Sequence, residues 1–355
     1  MTTGSLGKRL TIHIGHHFFG AGNIGDDLML AGFERAARPF LDRIRFTCCI
    51  PHDRASQIRR FPFIQWLRYD WNEREASVAQ CDAWLGLGDS PFQAVGGPWF
   101  LDHLRQELQL CVRHRRPMYY LGVGVNDRQS LGHPHTPELL EYARRIWTRD
   151  AHSLGLLFSA SPACRAVEGA DLANIELAAR PKPHLESDEI GFVLNFEALP
   201  SGFVPKFCAI VEGMAGRTLV WIRQETRGLQ WSESTLMHML PASIRKRFTQ
   251  READYSAGDV EGLLATLSGT GSLVTSRYHA ALAGAWQGSR MAVFCRNEKL
   301  TGLVRQFGTP TFDDFSLPQI EAALGRPQTS TRDLLAQAAA RAERSTQEFF
   351  AAVLC

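Results

Sequence analysis

The strongest constraint on this sequence is an alternation that runs through its first half, stops, and starts again. Short apolar runs of strand length are separated by amphipathic stretches with helical spacing. Candidate strands are Leu10 to Ile14, Phe46 to Ile50, Ala83 to Leu87, Met118 to Val125 and Ile146 to Arg149. Helices are expected at Leu28 to Phe40, Phe100 to Arg113 and Pro137 to Arg145. In the first of these Met29, Gly32, Phe33, Ala36, Ala37 and Phe40 share one face. Strands that are apolar on both faces, alternating with helices, fit a parallel sheet covered on both sides.

The pattern lapses over Ala179 to Glu189, where Arg180, Pro181, Lys182, Pro183 and His184 break any apolar period. This segment reads as a linker. Strands then recur at Gly191 to Phe196, Thr218 to Arg223, Ser272 to Ser276 and Met291 to Arg296. Between and after them lie expected helices at Val204 to Met214, Ser232 to Arg247, Val260 to Leu267, His279 to Trp286 and Glu298 to Phe307. An Ala-rich stretch, Thr331 to Val353, carries Leu335, Ala338, Ala342 and Phe349 on one face and reads as a long final helix. The expected architecture is α/β: two Rossmann-like lobes in tandem, residues 1–180 and 181–330, with a C-terminal helix over 331–355. Two such lobes imply a cleft, where small ligands usually bind.

Composition narrows the partners. Thirty-nine basic residues against 37 acidic ones give a net charge of +2, and the densest basic cluster, Arg113 to Arg116, has no interleaved aromatic residue. Neither nucleic acid nor a charged membrane surface is indicated. No apolar run approaches the ~18 residues needed to span a bilayer. His13, His16 and His17 interrupt the first apolar stretch, so no secretory signal is read there and a soluble, cytoplasmic protein is expected. The eight cysteines form no CxxC pair, and several sit in apolar runs, as buried thiols do. No metal site and no resident cofactor are expected.

Three motifs carry chemistry. Gly20-Ala21-Gly22-Asn23-Ile24-Gly25-Asp26-Asp27 joins the first strand to the first helix. Glycines there allow close backbone approach, and the helix start offers N–H groups to an anion. The same residues also suit a tight turn with Asp26 or Asp27 capping the helix. Carboxylates repel a phosphate, so the two Asp residues are better matched to a sugar hydroxyl. In the second motif, Trp147-Thr148-Arg149-Asp150-Ala151-His152-Ser153, a strand ends in an Arg at the sheet edge where ligands dock. Arg149 suits a phosphate or carboxylate, or equally a pair with Asp150. The third is Ser276-Arg277-Tyr278-His279, before the small-residue run Ala280, Ala281, Ala283, Gly284, Ala285. Arg277 suits an oxyanion and His279 suits proton transfer, at a helix start that adds its own positive end.

Taken in order, these elements resemble the polysaccharide pyruvyl transferase family. The resemblance rests on the G-x-G-N-x-G-D turn (Gly20 to Asp26), Leu121-Gly122-Val123-Gly124-Val125 behind Tyr119 and Tyr120, Arg149-Asp150 with Ser153, Asp171, and Ser276-Arg277 with His279. They span roughly residues 10 to 290. Where the family runs into a glycine triplet, this chain has Gly86-Leu87-Gly88-Asp89-Ser90-Pro91.

The resemblance implies a GT-B-like pair of Rossmann lobes. It also implies transfer of a pyruvyl group from phosphoenolpyruvate to a sugar, glycan or lipid-linked sugar, as a ketal across two hydroxyls. On that basis the N-terminal lobe is the acceptor side and the C-terminal lobe the phosphoenolpyruvate side. His279 and Asp26 are the catalytic candidates. Arg277, Arg149, Ser276, Gly22, Asn23, Gly25, Asp27 and Ser153 are the substrate-binding candidates. Two rival readings remain. A GT-B glycosyltransferase would take a nucleotide sugar, with Glu298 after Arg296-Asn297 as the ribose contact. A non-enzymatic interaction protein would use some of the eight Trp and 21 Phe residues as an exposed patch.

Overall fold

The structure is a computed structural model and describes residues 9–15, 19–50, 54–94, 97–182, 187–195, 199, 201–225, 233–255, 259–327 and 331–355. The chain divides into two compact units. One comprises Met1–Gly20, Leu28–Glu176 and Ala338–Cys355; the other comprises Ala21–Asp27 and Leu177–Gln337.

The first unit holds seven parallel strands: β1 (Leu10–Gly15), β2 (Ile44–Ile50), β3 (Ile64–Arg68), β4 (Ala83–Leu87), β5 (Met118–Val123), β6 (Arg145–Thr148) and β7 (Ala166–Glu168). Their order is β3-β2-β1-β4-β5-β6-β7. β1 is the turning point, pairing with β2 on one side (Ile12 opposite Phe46) and β4 on the other (Ile12 opposite Ala83). The second unit holds β8 (Ile190–Val193), β9 (Leu219–Arg223), β10 (Phe248–Glu252), β11 (Ser272–Thr275), β12 (Arg290–Phe294) and β13 (Thr311–Phe312). Their order, β10-β9-β8-β11-β12-β13, repeats the first with β8 as the turning point. Both sheets thus have the doubly wound order of a Rossmann-like fold, in which ligands bind beyond the strand ends where the order reverses. Two such α/β units in tandem are what the alternation predicts.

Burial explains why these residues fold this way. The inner strands are closed on both faces: all five residues of β4 and all six of β5 are buried. In the second unit Phe207 and Phe248 stack on each other, and both meet Phe192 and Trp221 edge-on. In the final helix, Thr331–Leu354, Leu335, Ala338, Ala342 and Phe349 are all buried, as its spacing predicts. Phe349 meets Tyr119 and Trp147 edge-on, which anchors the helix end to the first unit's core.

Some expected boundaries move for local reasons. The first helix starts at Ile24 and ends at Ala37, since Pro39 turns Arg38–Phe40 into a 3-10 turn. The helix expected over Ser232 to Arg247 is two short ones, Glu233–Met239 and Ala242–Arg245, because Pro241 supplies no N–H to continue the ladder. Ser232 lies outside the described residues, as do His16, His17, Pro183, His184 and Phe196. The β5 ladder slips between Leu121 and Val123 and the strand stops at Val123. Cys48, Cys49, Cys81, Cys111 and Cys164 are buried free thiols, and Cys355 is exposed. Burial pushes the Cys49 and Cys81 thiols up to about 12, far from a reactive thiolate.

Candidate functional site

The turning point of the second sheet lies between β8 and β11, and the third motif occupies it. Three hydrogen bonds fix the crossing from β11 into the helix Tyr278–Gln287. The Asn195 N–H donates to Ser276 Oγ at 2.7 Å, Thr275 Oγ1 donates to the Val193 carbonyl at 2.8 Å, and the Arg277 N–H donates to Thr275 Oγ1 at 2.9 Å. Arg277 is the extended residue that starts the helix, and its side chain does not cap it. The start of that helix carries the positive end of its dipole. Ala280, Ala281, Ala283, Gly284 and Ala285 are buried, so the small side chains let the helix lie close on the sheet.

The guanidinium of Arg277 is held by two carboxylates. Its Nη1 and Nη2 fork onto Glu225 Oε1 and Oε2 at 2.8 and 2.6 Å, and Nε donates to Glu233 Oε1 at 2.7 Å. Glu233 also accepts the Glu225 N–H through Oε2, at 3.1 Å. All three side chains are buried. Two carboxylates against one cation leave this cluster short of positive charge. Burial accordingly pushes the Glu233 carboxyl up to about 7, against the opposing pull of Arg277 and with a further push from Glu225.

That shift fixes a pH dependence. A carboxyl whose folded pKa is raised favours the fold while protonated. Its contribution is present below the ordinary value of 4.5 and is lost as pH rises through about 7. Glu233→Gln stays neutral, so its stability relative to the parent should rise between about pH 5 and about pH 8. Thermal melts of both proteins across that range check this; parallel pH profiles would contradict it.

The N-terminal glycine turn packs into the same unit. Asn23 bridges to Glu225 and the Ile24 N–H donates to the Gln224 carbonyl at 3.3 Å. Asn23 Oδ1 accepts the Gly25 N–H at 3.0 Å, which closes the turn. A Cβ on Gly25 would lie 2.0 Å from Nδ1 of His279, so the imidazole occupies the space that the missing side chain leaves. His279 is half-buried, as is Asp26, while Asp27 is buried. The Tyr255 hydroxyl donates to the Gln224 carbonyl at 2.7 Å. Burial raises its phenol far above the usual range, and Asp27, Asp26, Glu225 and Glu233 add to the effect. Gly22, Asn23, Gly25, Asp26, Asp27, Ser276, Arg277 and His279 thus belong to one unit. Glu225, Glu233 and Tyr255 join them from outside the three motifs.

Arg149 and Ser153 belong to the first unit. There the ends of β4, β5 and β6 meet. Arg149 is buried and its Nη2 donates to Ser90 Oγ at 3.1 Å, with Nε 3.6 Å from Asp150 Oδ2. A Cβ on Gly124 would lie 2.2 Å from Arg149 Nε, so this guanidinium too is lodged beneath a glycine. Asp89, in the segment where the family has glycines, has a φ of +58°, the left-handed region that favours glycine. Asp150 caps the helix Ala151–Ala160 by accepting the Ser153 N–H at 2.6 Å, and Ser153 Oγ accepts the Val125 N–H at 3.1 Å. Asp171 Oδ1 accepts the Ala173 N–H at 2.9 Å and starts another helix. Ser153 and Ser276 thus already hold backbone in place, whatever else they touch. Among the described residues no group of three or more His, Cys, Asp or Glu side chains could hold a metal ion. No helix among them is long and apolar enough to cross a membrane.

Two doubly wound units, each with a buried Arg beyond its strand ends, define a GT-B-like α/β protein. The family model for polysaccharide pyruvyl transferase matches residues 23–288, and the chain belongs to that family. No curated protein sequence matches it. Among solved structures, the UDP-GlcNAc 2-epimerase from Neisseria meningitidis is similar with TM-score 0.62 and 12% identity, over 97% of this chain and 99% of that one. The UDP-GlcNAc 2-epimerase from Methanocaldococcus jannaschii gives TM-score 0.59 and 9% identity over 97% and 99%. A UDP-glucosyltransferase from Polygonum tinctorium gives 0.55 and 11% over 97% and 98%. At such identities the likeness is one of fold.

Proposed function

We propose that this transferase moves a pyruvyl group from phosphoenolpyruvate to a sugar or glycan acceptor and closes a pyruvate ketal across two hydroxyls. The observation that carries the reading is the seating of His279 against Gly25, beside Arg277, at the turning point of the second sheet. Membership of the family supplies the reaction class.

In this reading the second unit receives phosphoenolpyruvate and the reacting hydroxyls of the acceptor, and the first unit receives the rest of the acceptor, in the cytoplasm. No resident cofactor takes part. The donor's carboxylate and phosphate need fixed cations, which Arg277 and the N–H groups at the start of the helix Tyr278–Gln287 supply within the second unit. Arg277 is bound to Glu225 and Glu233, so it engages the donor by exchanging a carboxylate partner for a substrate oxyanion. Glu233 eases the exchange by taking a proton, because its pKa near 7 makes the neutral form accessible.

The reaction balances without a metal or redox step. A proton passes to the donor's methylene carbon, and His279 is the group that delivers it. One acceptor hydroxyl adds to the oxocarbenium-like carbon and loses its proton. The carbon–oxygen bond to phosphate then breaks, and the second hydroxyl adds to the same carbon, closing the ketal; one proton leaves with the phosphate. Asp26, with Asp27 behind it, orients and deprotonates the acceptor hydroxyl. Gly22, Asn23, Gly25, Ser276 and Ser153 shape the backbone around the two substrates.

The fold is equally suited to a nucleotide sugar, with Glu298 at the start of the helix Glu298–Phe307 as the ribose contact. Calorimetry separates the two. Phosphoenolpyruvate is expected to bind while UDP-GlcNAc gives no heat; binding of UDP-GlcNAc alone would replace the reading with glycosyl transfer. A chain that binds neither would favour an interaction protein.

A further inference from the structure

A cavity of about 270 Å³ lies in the first unit, lined by Tyr69, Asp70, Trp71, Arg74, His103 and Gln106. Tyr69 to Trp71 directly follow β3, so the cavity opens on the edge of the sheet where strands end and ligands dock. β3 is three places from β4, whose following Ser90 holds Arg149. At about 4.8 Å per strand, that is about 14 Å across the sheet. The cavity is therefore separate from the Arg149 cluster and on the same edge.

Its lining is built. Arg74 is buried; its Nη1 donates to His103 Nδ1 at 2.9 Å, Nη2 donates to Gln106 Oε1 at 3.4 Å, and Nε lies 3.3 Å from Glu107 Oε1. The guanidinium stacks 4.5 Å from the Trp71 ring centre and 5.8 Å from that of Tyr69. Both rings stay 42% exposed, which leaves apolar surface open beside fixed polar groups. Trp99, 54% exposed, packs at a tilt against Phe100, whose ring in turn stacks on His103.

What the cavity exposes decides the ligand class. Glu107 lies against Arg74, with its carboxyl pushed up by burial, and Asp70 accepts the Glu73 N–H at the start of the next helix. Burial and the Arg74 charge push His103 down to about 4, so it is neutral at physiological pH. Arg74 is tied to His103, Gln106 and Glu107, and the surface the cavity leaves open is that of Tyr69 and Trp71, so what it offers a ligand is aromatic rather than cationic. Flat apolar rings bordered by an amide, an imidazole, a carboxylate and a guanidinium fit a neutral ring with one C–H face and a rim of hydroxyls.

We infer that the cavity formed by Tyr69, Trp71, Arg74 and His103 is a subsite for a neutral sugar ring of the acceptor glycan, apart from the ring that is modified. This rests on the acceptor being a glycan, as proposed above. Neutral trisaccharides of glucose, galactose, mannose and N-acetylglucosamine, tested by saturation-transfer NMR, give the readout without any donor. At least one is expected to receive saturation at its ring C–H protons, and inorganic phosphate is expected not to compete. Trp71→Ala and, as a second variant, Tyr69→Ala should each weaken that binding about ten-fold while keeping the parent's melting temperature and its heat with phosphoenolpyruvate. Binding to none of the four, unchanged binding by both variants, or competition by phosphate would overturn the subsite. Saccharide binding lost in the variants of a protein that turns over no phosphoenolpyruvate would remove the transfer reaction and leave the subsite standing.

Discussion

Replacing His279 with Ala should leave the protein folded and reduce pyruvyl transfer by about 10² to 10⁴-fold, the usual contribution of a single acid–base group. The ring is half-buried and its helix is held by its buried Ala and Gly residues, so the side chain adds little to the core. The loss should fall on kcat, with phosphoenolpyruvate affinity largely kept, since the proposed role is proton delivery rather than anion binding. Gly25→Ala tests the same position from the other side. Its methyl group would meet the imidazole at 2.0 Å and force the ring to turn away. A loss of similar size is expected, with every catalytic candidate intact. Steady-state rates of phosphate release read both variants; parental turnover in His279→Ala would remove it from the chemistry.

Arg277→Ala should have the largest effect on stability, about 3–5 kcal/mol, the usual result of removing one partner from a buried ion pair. Glu225 and Glu233 would remain buried without the guanidinium that donates three hydrogen bonds to them. The cause is the stranded charge rather than lost packing, so the effect has a rescue. Arg277→Met combined with Glu225→Gln and Glu233→Gln should recover much of the stability and none of the phosphoenolpyruvate binding. Urea titration and calorimetry measure the two properties separately. If Arg277→Ala were as stable as the parent and bound phosphoenolpyruvate as well, the ion cluster would have neither role.

The strands that sequence periodicity missed share a physical cause. Ile64–Arg68, Ala166–Glu168, Phe248–Glu252 and Thr311–Phe312 are the four edge strands of the two sheets. An edge strand is open to solvent on one side, so Phe248–Glu252 has a single buried residue and no continuous apolar run to betray it. Inner strands such as Ala83–Leu87 are closed on all sides and stand out in the sequence. The site divides in the same way. Arg277, His279 and the glycine turn were legible because each follows an inner strand and opens a helix. Glu225 and Glu233 carry no motif. Their one signal is position: Glu225 lies two residues beyond the end of β9 and Glu233 begins the next helix, both on the ligand edge of the sheet. Which carboxylate reaches Arg277 depends on the pairing of β8 with β9 and β11, which spacing along the chain does not encode.

The measurement that bears most directly on the proposed reaction is product analysis after incubation with isotopically labelled phosphoenolpyruvate and a set of oligosaccharides. The expected result is one phosphate released for each labelled three-carbon unit found on the saccharide, with both ketal oxygens coming from the sugar. Phosphate release without labelled saccharide, or a saccharide lengthened only when a UDP-sugar is supplied, would contradict pyruvyl transfer.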